Sequence, residues 1–147
     1  MSLDGNIIWH YSYGGDEEDH CFGMDVNSDG DIFLAGHTLS GTQNWDTYTV
    51  KIDNNGNLIW DSIKGNPRGF NPEYIHDEAW GVKATDDGGC VLIAGTGDEY
   101  EEYSECNGQD CSDVWNAYLI KYDNYGDASW QKTFSSFDVS EEIAHWH

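Results

Sequence analysis

One phrase recurs along this chain of 147 residues. It reads KIDNNGNLIW at 51–60 and KYDNYGDASW at 121–130, and LDGNIIW at 3–9 resembles the end of a third copy. A phrase that recurs in this way indicates a repeat architecture, in which one supersecondary unit is stacked several times. We therefore expect copies of one small unit.

Two further phrases are shared by the complete copies. SDGDIFLAGHT at 28–38 corresponds to DDGGCVLIAGT at 86–96, and DHCFGMDVN at 19–27 corresponds to DEAWGVKAT at 77–85. The interval from Asp-Gly to Ala-Gly is one residue longer in the second copy. That offset predicts a β-bulge in the second unit.

Each copy contains four short segments rich in β-branched and aromatic residues, separated by Gly, Asn and Asp. The segments are 6–13, 20–27, 31–37 and 45–53 in the first copy, and 57–64, 78–85, 89–96 and 114–123 in the second. Asn-Gly and Asp-Gly pairs between them suit tight hairpins, and no segment has a capped helical periodicity. The sequence predicts an all-β fold of four-stranded antiparallel meanders. Its units are repeat one at about 6–56, repeat two at about 57–126 and a partial third repeat at 127–147.

These phrases resemble the repeats of bacterial β-propeller proteins, which combine an Asp-Gly-Gly hairpin, an Ala-Gly-x-Thr strand end and Lys-x-Asp-x-x-Gly-Asn-x-x-Trp. The resemblance covers nearly the whole chain apart from two polar insertions at 65–76 and 97–113. It implies propeller blades in an extracellular or cell-surface protein, where such repeats are often pieces of larger proteins without an assigned activity.

A closed propeller needs at least about four blades, whereas the repeats account for about two and a half. We therefore expect either a piece of a longer protein or a homo-oligomer in which several chains complete a ring. Unpaired blade edges would favour such association.

The charge of the chain limits its partners. Acidic residues number 28 and basic residues 6, so the formal net charge is −22. A surface of this sign repels nucleic-acid phosphates and anionic lipid headgroups, and no apolar run is long enough to cross a bilayer. Nucleic-acid binding and membrane insertion are therefore not expected, while protein and carbohydrate ligands stay open.

The loop DVNSDGD at 25–31 carries oxygen ligands at alternate positions, as a calcium loop does. The candidate ligands for Ca²⁺ are Asp25, Asn27, Asp29 and Asp31. Gly36 stands where a helix-loop-helix site needs a bidentate Glu, so an Asp-Gly hairpin with acidic side chains is the alternative. No other cofactor is predicted.

Aromatic residues outside the repeated positions are candidates for ligand binding near the insertions. They are Tyr74, Trp80, Tyr100 and Tyr103. The repeated Trp9, Trp60 and Trp130 are instead expected to pack between units. Lys51 and Lys121, also repeated, are expected to pair with neighbouring carboxylates.

The four cysteines fall into two pairs. Cys106 and Cys111 lie in the second insertion and are predicted to form a disulfide, with free thiols or a soft metal site as alternatives. Cys21 and Cys90 lie in strand patterns and are predicted to be buried.

No phosphate-binding loop, nucleophile elbow or Cys-x-x-Cys motif is present. The predicted function is a non-catalytic scaffold or binding module of a secreted or surface protein, with 65–76 and 97–113 as its contact surface. The alternative is a carbohydrate-active hydrolase or lyase that uses loop carboxylates and His.

Overall fold

The computed structural model describes residues 4–65, 75–98 and 115–134. These residues form eight strands and no helix, so none of them forms a helix that could cross a membrane. The strands are β1 (Asp19–Val26), β2 (Ile32–Thr38), β3 (Asp46–Ile52), β4 (Leu58–Lys64), β5 (Ile75–Ala84), β6 (Cys90–Asp98), β7 (Asn116–Tyr122) and β8 (Ala128–Phe134). Sheet A contains β1 to β4 and sheet B contains β5 to β8, each antiparallel and in chain order. The predicted all-β class and antiparallel meanders are confirmed.

The sheets and the sequence repeats are offset by one strand. Segment 57–64 opens the second predicted repeat, yet β4 pairs with β3 and completes sheet A. The tight turn at 53–57 keeps these two strands together, whereas the longer connection after β4 separates the sheets. Segment 6–13 was predicted to be a strand, and this was wrong: it has no strand pairing among the described residues. It lies against sheet A, where Trp9 Nε1 donates to the Asn54 carbonyl at 3.1 Å.

The four tight hairpins, within β1–β2, β3–β4, β5–β6 and β7–β8, share one end of the sheets, which we call the hairpin end. Each contains a glycine with a positive φ: Gly30, Gly56, Gly88 and Gly126. In the repeated phrase, Asp53 Oδ1 accepts the backbone N–H groups of Asn55 at 2.8 Å and Asn57 at 2.9 Å. Asp123 does the same in its own hairpin. The repeated phrase therefore encodes a turn, and the turn sets the strand register.

The predicted bulge was wrong in its location. The β2–β3 and β6–β7 ladders run without interruption. The Ala-Gly pair lies one position later in β6 than in β2, but no residue is inserted into β6. Thr38 and Thr96 both lie opposite the first residue of the next strand. Bulges lie instead at Phe22 of β1 and Trp80 of β5, which have no opposing residue. Two further register shifts leave Ile59 of β4 and Ser129 of β8 without an opposing residue.

The two sheets stack face to face around one apolar core. Its members are Phe33, Ala35, Ala79, Cys90, Leu92, Ala94, Tyr118, Ile120 and Tyr122. Trp60 packs against this core, and its Nε1 donates to the Asn124 carbonyl of sheet B at 3.1 Å. The predicted packing role of Trp60 is therefore confirmed.

Buried polar contacts also join the sheets. Lys51 Nζ pairs with Asp31 at 3.0 Å and reaches sheet B, where it donates to the Gly88 carbonyl at 2.9 Å and Asn124 Oδ1 at 2.7 Å. Lys121 pairs with Asp87 at 2.8 Å. The predicted lysine–carboxylate pairs are confirmed.

The two described cysteines differ in burial. Cys90 is fully buried, as predicted, and burial raises the pKa of its thiol to about 12. Cys21 is exposed, so the prediction for it was wrong. Cys21 lies on the edge strand β1 and opposite Gly36, on the face of sheet A that points away from sheet B.

Candidate binding site at the long-loop end

The end opposite the hairpins, which we call the long-loop end, carries the connections β2–β3, β4–β5 and β6–β7. The predicted insertions 65–76 and 97–113 fall partly in these connections, while Ile75 and His76 begin β5 and Gly97 and Asp98 end β6. Of the predicted site residues near them, Trp80 is described. Tyr74, Tyr100, Tyr103, Cys106 and Cys111 lie outside the described residues.

An aromatic–histidine cluster lies at this end of the two sheets. It consists of His20 and Phe22 from β1, His37 from β2, Trp45 just before β3, and Trp80 from β5. The His20 and Trp45 rings stack with centroids 4.7 Å apart, and Phe22 lies 4.6 Å from Trp80. His20 Nδ1 and His37 Nε2 are 3.1 Å apart, a hydrogen-bond distance.

The bulges explain why Phe22 and Trp80 meet. A β-bulge changes the direction of a side chain. The bulges at Phe22 and Trp80 occupy equivalent positions in β1 and β5, which pack against each other across the two sheets. A Cβ added to Gly23 would lie 2.8 Å from the Gly81 Cα, so these two strands approach closely just after the bulges. Phe22 stays 49% exposed, which leaves an aromatic surface open at the long-loop end of the sheets.

His37 is the buried member of the cluster. Burial lowers its pKa to about 4, opposed by the Glu78 carboxylate and assisted by His20 and His76. The imidazole is therefore neutral at pH 7 and offers one donor and one acceptor nitrogen. Its role here is to hold the cluster together by hydrogen bonding and ring contacts.

The two carboxylates near the aromatic–histidine cluster, Asp46 and Asp77, have a structural role where the sheets meet. Burial raises the pKa of Asp46, and Asp77 in β5 is 1% exposed. Burial and the negative charges of these two residues raise the pKa of Tyr118, whose hydroxyl donates to Gln131 Oε1 at 2.8 Å. Asp77 and Tyr118 are therefore too deeply buried to contact a bound molecule.

The side chains of three predicted calcium ligands, Asp25, Asn27 and Asp31, already have protein partners. Asp25 accepts the Ala84 N–H at 2.8 Å and pairs with Lys83 at 2.9 Å, contacts that lower its pKa. Asn27 Oδ1 accepts the N–H groups of Asp29 and Asp31. Within the described residues no group of three or more His, Cys, Asp or Glu is arranged to hold a metal ion. The calcium site stays a prediction.

The sequence reasoning singled out Trp80 but missed Phe22 and His37. A signal for Phe22 was present, since an aromatic residue precedes the shared glycine in both CFG at 21–23 and AWG at 79–81. No such signal was present for His37, because the second copy has no histidine at the equivalent position. Its position depends on how sheet B covers sheet A.

In comparisons with known proteins, no protein-family model and no curated protein sequence matched this chain.

Proposed function

We propose that this chain is a β-propeller segment that serves as a non-catalytic binding module of a secreted or cell-surface protein. The observation that carries the proposal is the separation of its two ends. The tight hairpins share one end, and the long connections and the exposed aromatic cluster share the other. Connections there can vary in sequence without disturbing either sheet.

Equivalent contacts in the two sheets support propeller blades. Tyr48 Oη donates to Asp61 at 2.9 Å in sheet A, as Tyr118 donates to Gln131 in sheet B. Trp9 and Trp60 each donate to the carbonyl of an equivalent hairpin asparagine at 3.1 Å. Units that repeat their contacts in this way can be stacked again around an axis.

The cluster favours a carbohydrate ligand of neutral or positive charge. Phe22 presents an exposed ring, and His20 beside it is exposed and adds a polar edge. Aromatic faces bind apolar surface and attract cations, whereas a net charge of −22 repels anions. Uronic acids and sulfated glycans are therefore poor candidates.

Calorimetric titration with three probes tests this proposal: a neutral β-glucan oligosaccharide, a chitosan oligosaccharide and an alginate oligosaccharide. We expect binding to the first or second and not to alginate. Phe22→Ala should weaken that binding about tenfold, the effect of losing one aromatic contact.

The matched control is Tyr125→Ala, because Tyr125 is 80% exposed but lies at the hairpin end. It should bind as the wild type does. Equal losses in both variants, or no binding to any of the three probes, would contradict the proposal. Release of new reducing ends from a probe would support the hydrolase or lyase alternative instead.

A further inference from the structure

Each sheet has one broad face that points away from the other sheet. The donor face is the face of sheet B that points away from sheet A, and it contains Val91, Ile93, Leu119, Lys121 and Trp130. The acceptor face is the face of sheet A that points away from sheet B, and it contains Leu34, Tyr48, Val50, Ile52 and the adjoining Asn54. Through the repeat, the donor face corresponds to the surface with which sheet A covers sheet B.

Within the described part of the chain, the donor face is more exposed than the equivalent surface between the sheets. Ile93 is 44% exposed, whereas Ala35, its equivalent between the sheets, is 1% exposed. A Cβ on Gly81 would meet nothing within 4 Å, whereas one on the equivalent Gly23 would collide with β5. Trp130 is 40% exposed and lies on the same face, opposite Lys121.

Within the described residues, Lys121 does not have the cross-sheet partners that Lys51 has. Lys51 donates to Asn124 Oδ1 and the Gly88 carbonyl of the neighbouring sheet. The Lys121 ammonium contacts Asp87 and the Tyr122 carbonyl of its own sheet. It can therefore reach an adjoining sheet, as Lys51 does, by exchanging one of these contacts.

The acceptor face carries the matching groups. Asn54 and Gly30 occupy in sheet A the hairpin positions that Asn124 and Gly88 occupy in sheet B. Trp9 covers part of this face by donating to the Asn54 carbonyl, as Trp60 does at Asn124. A cleft of about 210 Å³ stays open beside it, lined in part by Leu34, Tyr48 and Val50.

We propose that the donor face of one copy of this chain docks on the acceptor face of a second copy, with Lys121 bonded to Asn54 and Gly30 of that copy. Trp130 then takes the place of Trp9 at the Asn54 carbonyl. The N-terminal segment around Trp9 occupies this site in the single copy and competes with docking.

The side chains of the donor and acceptor faces differ from the equivalent side chains between sheets A and B, and the differences on the two faces match. Between sheets A and B, burial raises the pKa of Tyr122, and the hydroxyls of Ser62, Thr49 and Thr47 act in the opposite direction. At the proposed interface Ile52 stands for Tyr122, while Leu119, Ala117 and Lys132 stand for Thr49, Thr47 and Ser62. The Tyr122 hydroxyl and both threonine hydroxyls are therefore absent there together, and Lys132, on the edge strand β8, takes the place of Ser62.

The docking is head-to-tail, because two different faces meet. Such interfaces give closed rings when the rotation between copies closes, and open fibres when it does not. Rings of roughly four to eight sheets are the known propeller range, so about two to four copies would close one.

Sedimentation velocity across a dilution series tests the proposal. Wild-type protein should associate reversibly. Trp9→Ala vacates the Asn54 carbonyl and should strengthen association about tenfold, whereas Lys121→Met should weaken it about tenfold, the effect of one lost charged hydrogen bond. Asn54→Ala should weaken it in the same direction.

Lys64→Met is the charge-matched control, since Lys64 lies opposite Thr47 on the inner face of sheet A. It should associate as the wild type does. Opposite effects of the Trp9 and Lys121 variants cannot both follow from unfolding, and circular dichroism of each variant checks the fold.

Three outcomes would overturn the proposal. The first is a monomer at every dilution for both the wild type and Trp9→Ala. The second is association that Lys121→Met leaves unchanged, which indicates non-specific contact between apolar faces. The third is a Lys121→Met effect without an Asn54→Ala effect, which indicates a different partner face.

Discussion

Two buried side chains at opposite ends of the interface hold the sheets together in different ways. Lys51 keeps its charge at the hairpin end, where its side chain is 3% exposed and meets Asp31 and two acceptors of sheet B. His37 is neutral at the long-loop end, where it is 4% exposed. The lysine pairing could be predicted, because a rare basic residue recurs at one repeat position. Its partner Asn124 could not, since that contact depends on how the sheets stack.

We expect His37 to make stability depend on pH. Its pKa is about 4 in the folded chain and 6.5 in the unfolded chain, so between these values only the unfolded chain binds the proton. Stability from this residue is therefore complete above about pH 6.5 and is lost as the pH falls towards about 4, by about 3 kcal/mol in all. Urea denaturation at several pH values should show a shallower decline for His37→Gln. His10→Gln, at an exposed histidine, should keep the wild-type profile.

Lys51→Met should destabilise the fold more than Lys121→Met. Removing Lys51 leaves Asp31 and two acceptors at the sheet interface without their donor, at a cost of about 3 kcal/mol. The Lys121 contacts lie within one sheet and Asp87 is half exposed, so its loss should cost about 1 kcal/mol. Urea midpoints measure both. Equal losses would show that Lys51 does not bridge the sheets.

At the scale of the strands, turn chemistry was more informative than strand pattern. The Asn-Gly and Asp-Gly pairs located three of the four hairpins, and the fourth, at Tyr125-Gly126, followed from the repeated phrase. The strands on either side followed from these turns. The repeat alone could not show that 57–64 belongs to sheet A. The repeated phrase contains Trp60 whether its strand pairs within sheet A or within sheet B. The extended segment 6–13 has the composition of a strand, but no neighbouring strand among the described residues pairs with it.

Gly126→Ala should be more damaging than Gly41→Ala, although both glycines have positive φ, 86° and 74°. A Cβ at Gly41 meets no atom within 4 Å, so only backbone strain of about 1 kcal/mol is expected. A Cβ at Gly126 would lie 2.8 Å from the Trp60 ring, which adds about 1–3 kcal/mol of overpacking. Thermal denaturation of the two variants separates these contributions. A loss as small in Gly126→Ala would mean that Trp60 does not pack on this hairpin.

For the molecule as a whole, the shared core makes the two sheets mutually dependent. Phe33 and Ala35 of sheet A lie in the same buried cluster as Leu92, Ala94 and Ile120 of sheet B. Each sheet alone would expose one side of this cluster to water, and a lone four-stranded sheet gains little stability from one apolar face. The described parts of the chain should therefore fold as one cooperative unit.

We expect circular dichroism and tryptophan fluorescence to report one coincident unfolding transition in urea. Trp60→Ala should lower the midpoint of both signals together, with a loss of about 3 kcal/mol, because the ring packs against residues of both sheets. Tyr125→Ala removes an exposed ring at the hairpin end and should leave the midpoint unchanged. Two separate transitions in the wild type would mean that the sheets are independent. Their association would then be weak enough that stacking further copies on the outer faces could not be stable either.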